Sequence, residues 1–440
     1  MVGVTAHPLH QEQASGQRAY RRCRDLGAPP YSTRADGLDR RYLTAVHAAT
    51  VGQVASWIEE AGMTTRLDPL ATLIGRYEGS DPDAPALMIG SHIDSVPNGG
   101  VFDGPLGVML GIELVARLHE DGIRYPFPIE VVAFGDEEGS RFNASMMASC
   151  AIAGTPITKS LEQTDSAGID VASALSAFDH LLAEHTDLQR EKKAPTAAAR
   201  TPSEVAAFIE AHIEQGPVLE AEGLALGVVT AIAGQLRYAV EVRGSAAHAG
   251  TTTMGLRRDA LAAAAAMVTA VEEVAKTRAG EGVVATVGQL EVFPGGSNVV
   301  PGMVQFSLDV RAPSNGLRDA AAREIEQRLQ TIADARNVGL AIDRQQDLGA
   351  TQCDPLLTDL LGRAVGSVDG KAFELFSGAG HDAMSIAALC PVTMLFIRCE
   401  RGISHHPDEN IRPEDADQAL EALLEFTRLY EGHRHDASFR

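Results

Sequence analysis

Paired thiols are the first thing this sequence lacks. Its five cysteines, Cys23, Cys150, Cys353, Cys390 and Cys399, form no Cys-x-x-Cys pair, so neither a disulfide framework nor a thiolate zinc site is expected, and a reducing cytoplasm suits the chain. Basic charge is also short. With 37 Lys and Arg against 59 Asp and Glu the net charge is −22, which argues against nucleic acid or an anionic membrane surface as partner, because both demand clustered cations. No apolar run reaches the roughly 20 residues of a membrane span, and residues 1–20 lack the apolar stretch of a secretory signal. Aromatics make up 5% of residues while 45% are hydrophobic, so Ala, Val and Leu must fill the interior. A soluble globular chain is left. Its 440 residues exceed what one core usually holds, and two domains are expected.

Spaced apolar residues over 34–62 predict a capped amphipathic helix ending near Gly62. Pro85-Ala-Leu-Met-Ile-Gly-Ser-His and Pro128-Ile-Glu-Val-Val-Ala-Phe-Gly-Asp-Glu-Glu read as buried strands ending in polar turns, with a helix over 107–118 between them. Open α/β sheets bind ligands beyond the carboxyl ends of their strands, so chemistry is expected where His92, Asp94, Glu137 and Glu138 stand. The polar stretch 164–202, with Gln189-Arg-Glu-Lys-Lys, reads as surface helix and loop. A different style begins near Gly227. Strands over 236–242, 283–290, 304–310 and 339–343 and helices over 259–276 and 317–335 give a β-α-β-β-α-β order. Cys390-Pro-Val-Thr-Met-Leu-Phe-Ile then resumes the buried-strand style, followed by a helix over 413–430. The expected organisation is a discontinuous α/β catalytic domain, 1–226 and 345–440, with an α+β domain, 227–344, inserted into it.

Alternation along a strand puts His92 and Asp94 on one face of its end. Asp103 follows in a loop where Gly99, Gly100, Gly104 and Gly107 allow tight folding around a metal held by His and carboxylate ligands. In Asp136-Glu-Glu-Gly-Ser-Arg-Phe, neighbouring carboxylates at another strand end are costly without a cation. Adjacent side chains point apart, which suggests Glu138 on a metal and Glu137 as general base towards water. His212 in Ala211-His-Ile-Glu-Gln-Gly-Pro-Val-Leu-Glu and His405 in Gly402-Ile-Ser-His-His-Pro-Asp-Glu supply further imidazoles. Together these residues suit two divalent ions bridged by Asp103 that polarise a carbonyl and activate water. Nitrogen and oxygen donors leave Zn, Mn and Co open. In the inserted domain, Arg243-Gly-Ser-Ala-Ala-His-Ala-Gly-Thr-Thr lets His248 approach a substrate closely as an oxyanion donor. Asn298 and Arg311 stand near strand edges, and Arg311 suits a substrate carboxylate unless Asp309 engages it instead.

Taken together, Gly90-Ser-His-Ile-Asp-Ser-Val, Asp136-Glu-Glu-Gly-Ser-Arg-Phe, His212-Ile-Glu-Gln-Gly-Pro-Val-Leu-Glu and Ser297-Asn-Val-Val-Pro-Gly resemble the aminoacylase and carboxypeptidase (peptidase M20-like) superfamily of di-metal amidohydrolases. The branch is that of N-carbamoyl-L-amino acid hydrolases, β-ureidopropionases and allantoate amidohydrolases, and the resemblance covers residues 35–430. His212 stands where peptidase relatives carry a carboxylate, which favours this branch. The resemblance implies a di-metal exopeptidase-like α/β/α catalytic domain with a ferredoxin-like dimerisation or lid domain. It implies that His92, Asp103, Glu138, His212 and His405 hold two divalent ions while Asp94 orients His92. Which His serves which ion stays open, and of the tandem His405 and His406 the first fits the family's Ser-His-x-Pro pattern. It further implies a homodimer in which His248 reaches the partner's site, and a pocket lined by Gln215, Gly380 and His381, with His381 near the ureido group.

The resulting expectation is hydrolysis of a linear ureido C–N bond, releasing CO2 and ammonia. Allantoate comes first, because Asp39-Arg-Arg-Tyr-Leu-Thr and Trp57-Ile-Glu-Glu-Ala-Gly-Met resemble the allantoate enzymes slightly more. N-carbamoyl-L-amino acids come next, with an N-carbamoyl-β-amino acid as a further option. An aminopeptidase would need a pocket for a free amine in place of Arg311 and Asn298, and a non-catalytic small-molecule binder would have no reason to keep Glu137.

Overall fold

The computed structural model describes residues 13–437; residues 1–12, on which part of the signal-sequence reading rests, lie outside the described residues. Two compact units form. The first comprises the described residues up to Thr230, then Cys353–Leu375 and the chain from His381 onward; the second comprises Ala231–Gln352 and Phe376–Gly380.

Across the sheet of the first unit run, in order, Thr64–Leu67, Leu73–Tyr77, Ile129–Phe134, Ala86–His92, Val205–Ile213, Val392–Ile397 and Leu226–Ile232. The four strands from Ile129–Phe134 to Val392–Ile397 are mutually parallel, and their flanking neighbours are antiparallel. Every residue of Ala86–His92 and of Ile129–Phe134 is buried, as parallel strands covered on both faces require. Parallel register lines up the carboxyl ends, with His92 beside Phe134 and His212 beside Phe396. The polar residues that follow these strands therefore emerge along one edge. Between Ala86–His92 and Ile129–Phe134 the helix Pro105–Glu120 starts from Gly104 with Pro105 in its first turn, where a missing N–H costs nothing.

One expected element differs. The helix predicted over 34–62 begins only at Ala45 and runs to Glu60. Residues 34–44 instead form an irregular strap anchored by fully buried Arg40. The Arg40 guanidinium donates to the carbonyls of Leu26, Tyr31 and Ile93, and those bonds outweigh the local helical pattern.

In the second unit the antiparallel sheet runs Leu290–Phe293, Met303–Ala312, Gly234–Arg243, Gly339–Leu348. The strand expected over 283–290 is broken. Val284–Thr286 pairs with Asp309–Arg311, and after Gly288 the chain steps across so that Leu290–Phe293 pairs with Met303–Phe306. Helices Ala260–Thr277 and Asn315–Ala335, capped by the side chains of Asp259 and Ser314, cover one face. Val240, Val242, Met267, Phe306, Leu308 and Ile325 pack beneath them. This unit extends past the expected end at 344, because Gly339–Leu348 stays paired with Gly234–Arg243 along its length. All five cysteines are free. Among the described residues no helix is long and apolar enough to cross a membrane.

Candidate metal centre

Residues from three strand ends and two loops converge in the first unit. His92 comes from Ala86–His92, Glu137 and Glu138 follow Ile129–Phe134, and His212 belongs to Val205–Ile213. Asp103 and His405 lie on loops. The potential ligand atoms form two groups, His92 with Asp103 and His212, and Asp103 with Glu138 and His405, each group's atoms lying within 4.8 Å of one another. Asp103 is common to both. Its Oδ1 is 3.1 Å from His212 Nε2 and its Oδ2 is 3.2 Å from His405 Nε2, which lies 3.7 Å from Glu138 Oε1.

Ring tautomers follow from what each imidazole faces. His92 Nδ1 contacts the carbonyl of Asp94 at 3.2 Å and His212 Nδ1 that of Ile213 at 2.9 Å. A carbonyl can only accept, so both rings donate from Nδ1 and present a bare Nε2 when neutral. His212 Nε2 is buried and makes no hydrogen bond despite lying 3.1 Å from Asp103 Oδ1, because a bare ring nitrogen and a carboxylate oxygen have no proton between them. Two buried acceptors facing each other are repulsive unless a cation lies between them, so this donor set fits divalent metal.

Electrostatics point the same way. Burial and the neighbouring Asp103 carboxylate raise Glu138 to about 7. Burial, reinforced by Glu138, Asp382 and Asp94 and opposed by His92, raises Glu137 well above the usual carboxylate range. Burial alone would raise Asp103 too, but His212 and His405 outweigh it and hold that group well below. The hydrogen bond to Asp103 lifts His405 to about 9. Crowded acids that resist losing their protons are what a cluster built around positive ions becomes without them.

Asp94 holds the acidic turn. Its Oδ1 and Oδ2 accept the N–H groups of Glu137 and Glu138, at 3.1 and 3.2 Å, and Oδ1 lies 3.4 Å from His92 Nδ1. Gly104, at φ +86, leaves room for His92, since a Cβ there would come within 2.4–2.5 Å of the imidazole. Gln215, in left-handed backbone at φ 57, donates its amide to both oxygens of Asp103. His381 is buried with its ring 4.5 Å from that of His212, and burial beside His212 holds it well below the usual imidazole range. Both tandem histidines are exposed, but His405 joins the second group, whereas His406 accepts the N–H of Asp408.

His248, Asn298, Arg311 and Gly380 belong to the second unit. His248 and Val299 pair on a short two-stranded ladder, and Ala249 N–H donates to the Asn298 carbonyl. Two backbone N–H groups, of Gly250 and Thr251, donate to His248 Nδ1, which leaves Nε2–H as the outward donor. Asp309 does engage Arg311, through Nε and Nη2 at 3.0 and 3.1 Å, while Nη1 donates to the Gly378 carbonyl. That side-on pair leaves one N–H on each terminal nitrogen for a second acceptor. A cavity of about 1220 Å³ runs along this open sheet face, lined by Arg237, Glu241, Gln305, Ser307, Asp309 and Arg311 among others.

Four buried or half-buried groups escaped sequence reasoning. Glu210 accepts from Ser91 Oγ and Ala383 N–H. Asp382 is fully buried beside the site, and Glu409 and Ser404 contact the Asp103 loop. A glutamate among the apolar residues that lead to His212 in Val205–Ile213 was the available signal for Glu210.

The family model described as peptidase family M20/M25/M40 matches residues 88–428. The N-carbamoyl-L-amino acid amidohydrolase of Geobacillus stearothermophilus is 42% identical over 408 residues, covering 93% of this chain and 97% of that one. The allantoate deiminase of Arabidopsis thaliana is 36% identical, covering 96% of this chain and 83% of that one. Among solved structures, a hydantoinase/carbamoylase family amidase from Burkholderia multivorans superposes with a TM-score of 0.85 at 33% identity, covering 95% of this chain and 98% of that one.

Proposed function

The chain belongs to the peptidase M20/M25/M40 family of metal-dependent hydrolases, and on that premise we propose that it is a two-metal amidohydrolase of ureido acids. Sharing of Asp103 between two His-and-carboxylate groups carries this reading. His92, Asp103 and His212 would hold one ion and Asp103, Glu138 and His405 the other, with Zn, Mn and Co all compatible with these donors. When bound, the ions supply Lewis-acid polarisation of the ureido carbonyl and acidify a water.

The protein's own groups do the rest. Glu137, buried and held by Asp94 through its backbone, takes a proton from the attacking water and returns it to the departing nitrogen. The balance is R–NH–CO–NH2 plus H2O giving R–NH2, CO2 and NH3. Arg311, pre-oriented by Asp309, receives the substrate carboxylate on its two remaining N–H groups. His248 offers Nε2–H to the developing oxyanion, from the partner subunit of a homodimer. Asn298, Gln215, Gly380 and His381 complete the polar contacts. A reducing cytoplasm is the setting this reading expects.

Two substrates are favoured by different observations. The polar sheet face around Arg311 suits the second ureido group of allantoate, whereas the 42% identical relative favours N-carbamoyl-L-amino acids. The test uses protein stripped and reloaded with Mn, Zn or Co, reading ammonia release from allantoate, N-carbamoyl-L-amino acids and N-carbamoyl-β-alanine, and free amino acids from dipeptides. Release from allantoate or from carbamoyl amino acids assigns the substrate. Cleavage of dipeptides alone, or no metal-dependent release at all, overturns the proposal.

A further inference from the structure

Two of the candidate ligands, Asp103 and His405, stand on loops, and one buried carboxylate joins those loops. Glu409, 3% exposed, lies in the stretch that leads to the helix Pro413–Ala437. Its Oε1 accepts the N–H groups of Phe102 and Asp103, at 3.0 and 3.1 Å. Its Oε2 lies 3.2 Å from Ser404 Oγ, and the same hydroxyl is 3.0 Å from Asp103 Oδ2. Glu409 thus grips the backbone of Asp103 directly and its side chain through Ser404, which immediately precedes His405. Gly100 makes the space, because a Cβ there would sit 2.2 Å from the Glu409 carboxyl carbon. Burying a carboxylate is costly, and here two of its hydrogen bonds hold the Asp103 loop and the third comes from Ser404 beside His405.

The other ligands need no such help. His92 and His212 project from buried parallel strands, and Glu138 is held by Asp94. The group of Asp103, Glu138 and His405 draws no member from a strand, and two of the three stand on long-range loops. We propose that Glu409 is a positioning residue of the metal centre, stapling the Asp103 loop to the His405 loop and so setting the geometry of that second group. The proposal rests on the two-ion reading given above.

Groups that orient metal ligands typically change affinity by about 10–100-fold when removed. The test counts Mn or Zn ions per chain in stripped full-length protein titrated with free metal, for wild type, Glu409→Ala and Glu409→Gln. Wild type takes up two ions. In Glu409→Ala the second ion, whose group also loses its tie to the His405 loop, is weakened by about 10–100-fold, and the first, which keeps His92 and His212 on strands, is weakened less. Glu409→Gln keeps an acceptor for the two N–H groups and turns its NH2 to the Ser404 oxygen, whose hydroxyl is then free to donate to Asp103, and recovers most of the loss. Ammonia release by Glu409→Ala returns at saturating metal, with the metal-activation curve displaced rather than the maximum abolished. A merely structural Glu409 would instead weaken both ions alike and lower the melting temperature of the stripped protein without rescue by Gln; that result overturns the proposal, as does unchanged binding of both ions. If Glu409→Ala does not fold, Ser404→Ala carries the test, since it removes only the hydroxyl between Glu409 and Asp103. Weaker binding of the second ion is then expected, and unchanged affinities overturn the proposal. A wild-type chain that takes up fewer than two ions sinks the two-ion reading itself, which separates that failure from failure of the staple.

Discussion

Replacing Gly104 by Ala separates backbone strain from damage to the metal centre, provided that Gly122→Ala is made beside it. Both glycines have positive φ, +86 and +68. Around Gly122 nothing lies within 4 Å of an added Cβ, whereas at Gly104 the Cβ would fall 2.4 Å from His92 Cε1 and 2.5 Å from both ring nitrogens. Gly122→Ala therefore pays only for left-handed backbone, about 1–2 kcal/mol. Gly104 sits at ψ −60, outside the small left-handed region open to other residues, so its strain is about 1–3 kcal/mol. Displacing a buried ring in a packed site adds about 1–3 kcal/mol. His92 cannot swing away freely, since its backbone belongs to a strand paired on both sides and its ring is 1% exposed. Urea unfolding of the stripped proteins is expected to rank wild type, Gly122→Ala and Gly104→Ala in falling order, the last destabilised by about 2–6 kcal/mol. Metal titration is expected to show unchanged affinity in Gly122→Ala and a loss of about 10–100-fold in Gly104→Ala. Equal stability of the two variants, together with full metal affinity in Gly104→Ala, would refute the idea that this glycine exists to admit His92.

Glu137→Gln is expected to lower ammonia release by about 10²–10⁴-fold with ion content unchanged by elemental analysis; lost metal would make Glu137 a ligand instead of a base. Arg311→Lys keeps the charge but loses the planar fork, and kcat/KM for a carboxylate substrate should fall by about 10–100-fold. The carboxamide analogue of that substrate should be processed equally by both proteins, and an equal loss on it would remove Arg311 from carboxylate binding. Asp68 gives a pH prediction. Burial, opposed by N–H bonds from Leu70 and Thr72, raises it from 3.8 to about 6. The folded state then holds this proton more tightly than the unfolded chain, so the contribution to stability is fully present below about 4 and is lost as pH rises through about 6. Relative to Asp68→Asn, wild type should lose about 2 kcal/mol between pH 4 and 7, measured as the difference between their unfolding free energies; a pH-independent difference would place the carboxyl in a wetter setting.

Much of the site was legible in the sequence because its pieces are local. His92 with Asp94, and Glu137 with Glu138, follow apolar runs whose length and β-branched content mark buried strands, and polar residues past the carboxyl end of such a strand have few roles other than chemistry. The β-α-β-β-α-β order of the second unit was legible for the same reason, since alternation and helical periodicity are properties of short windows. Where local pattern and long-range bonds compete, the window fails. Residues 34–44 look helical but are held as a strap by Arg40, and the strand expected over 283–290 breaks because its partner strand must be met in two registers.

What only the tertiary structure decided is which distant residues meet. Nothing in the spacing of His92, His212 and His405 tells which two come together. Parallel pairing of Ala86–His92 with Val205–Ile213 brings the first two together around Asp103, and a loop brings the third. Identical neighbours cannot be told apart by residue type, and although both His405 and His406 are exposed, the left-handed backbone of His405 at φ 56 goes with a ring that faces Asp103 and Glu138, while His406 faces Asp408. The roles of Glu409 and Gly100 are equally non-local. Sequence determines which side chains can take up a metal or a proton, because that chemistry belongs to the residue. Position, burial and the pairing of charges depend on chain segments hundreds of residues apart, and those belong to the fold.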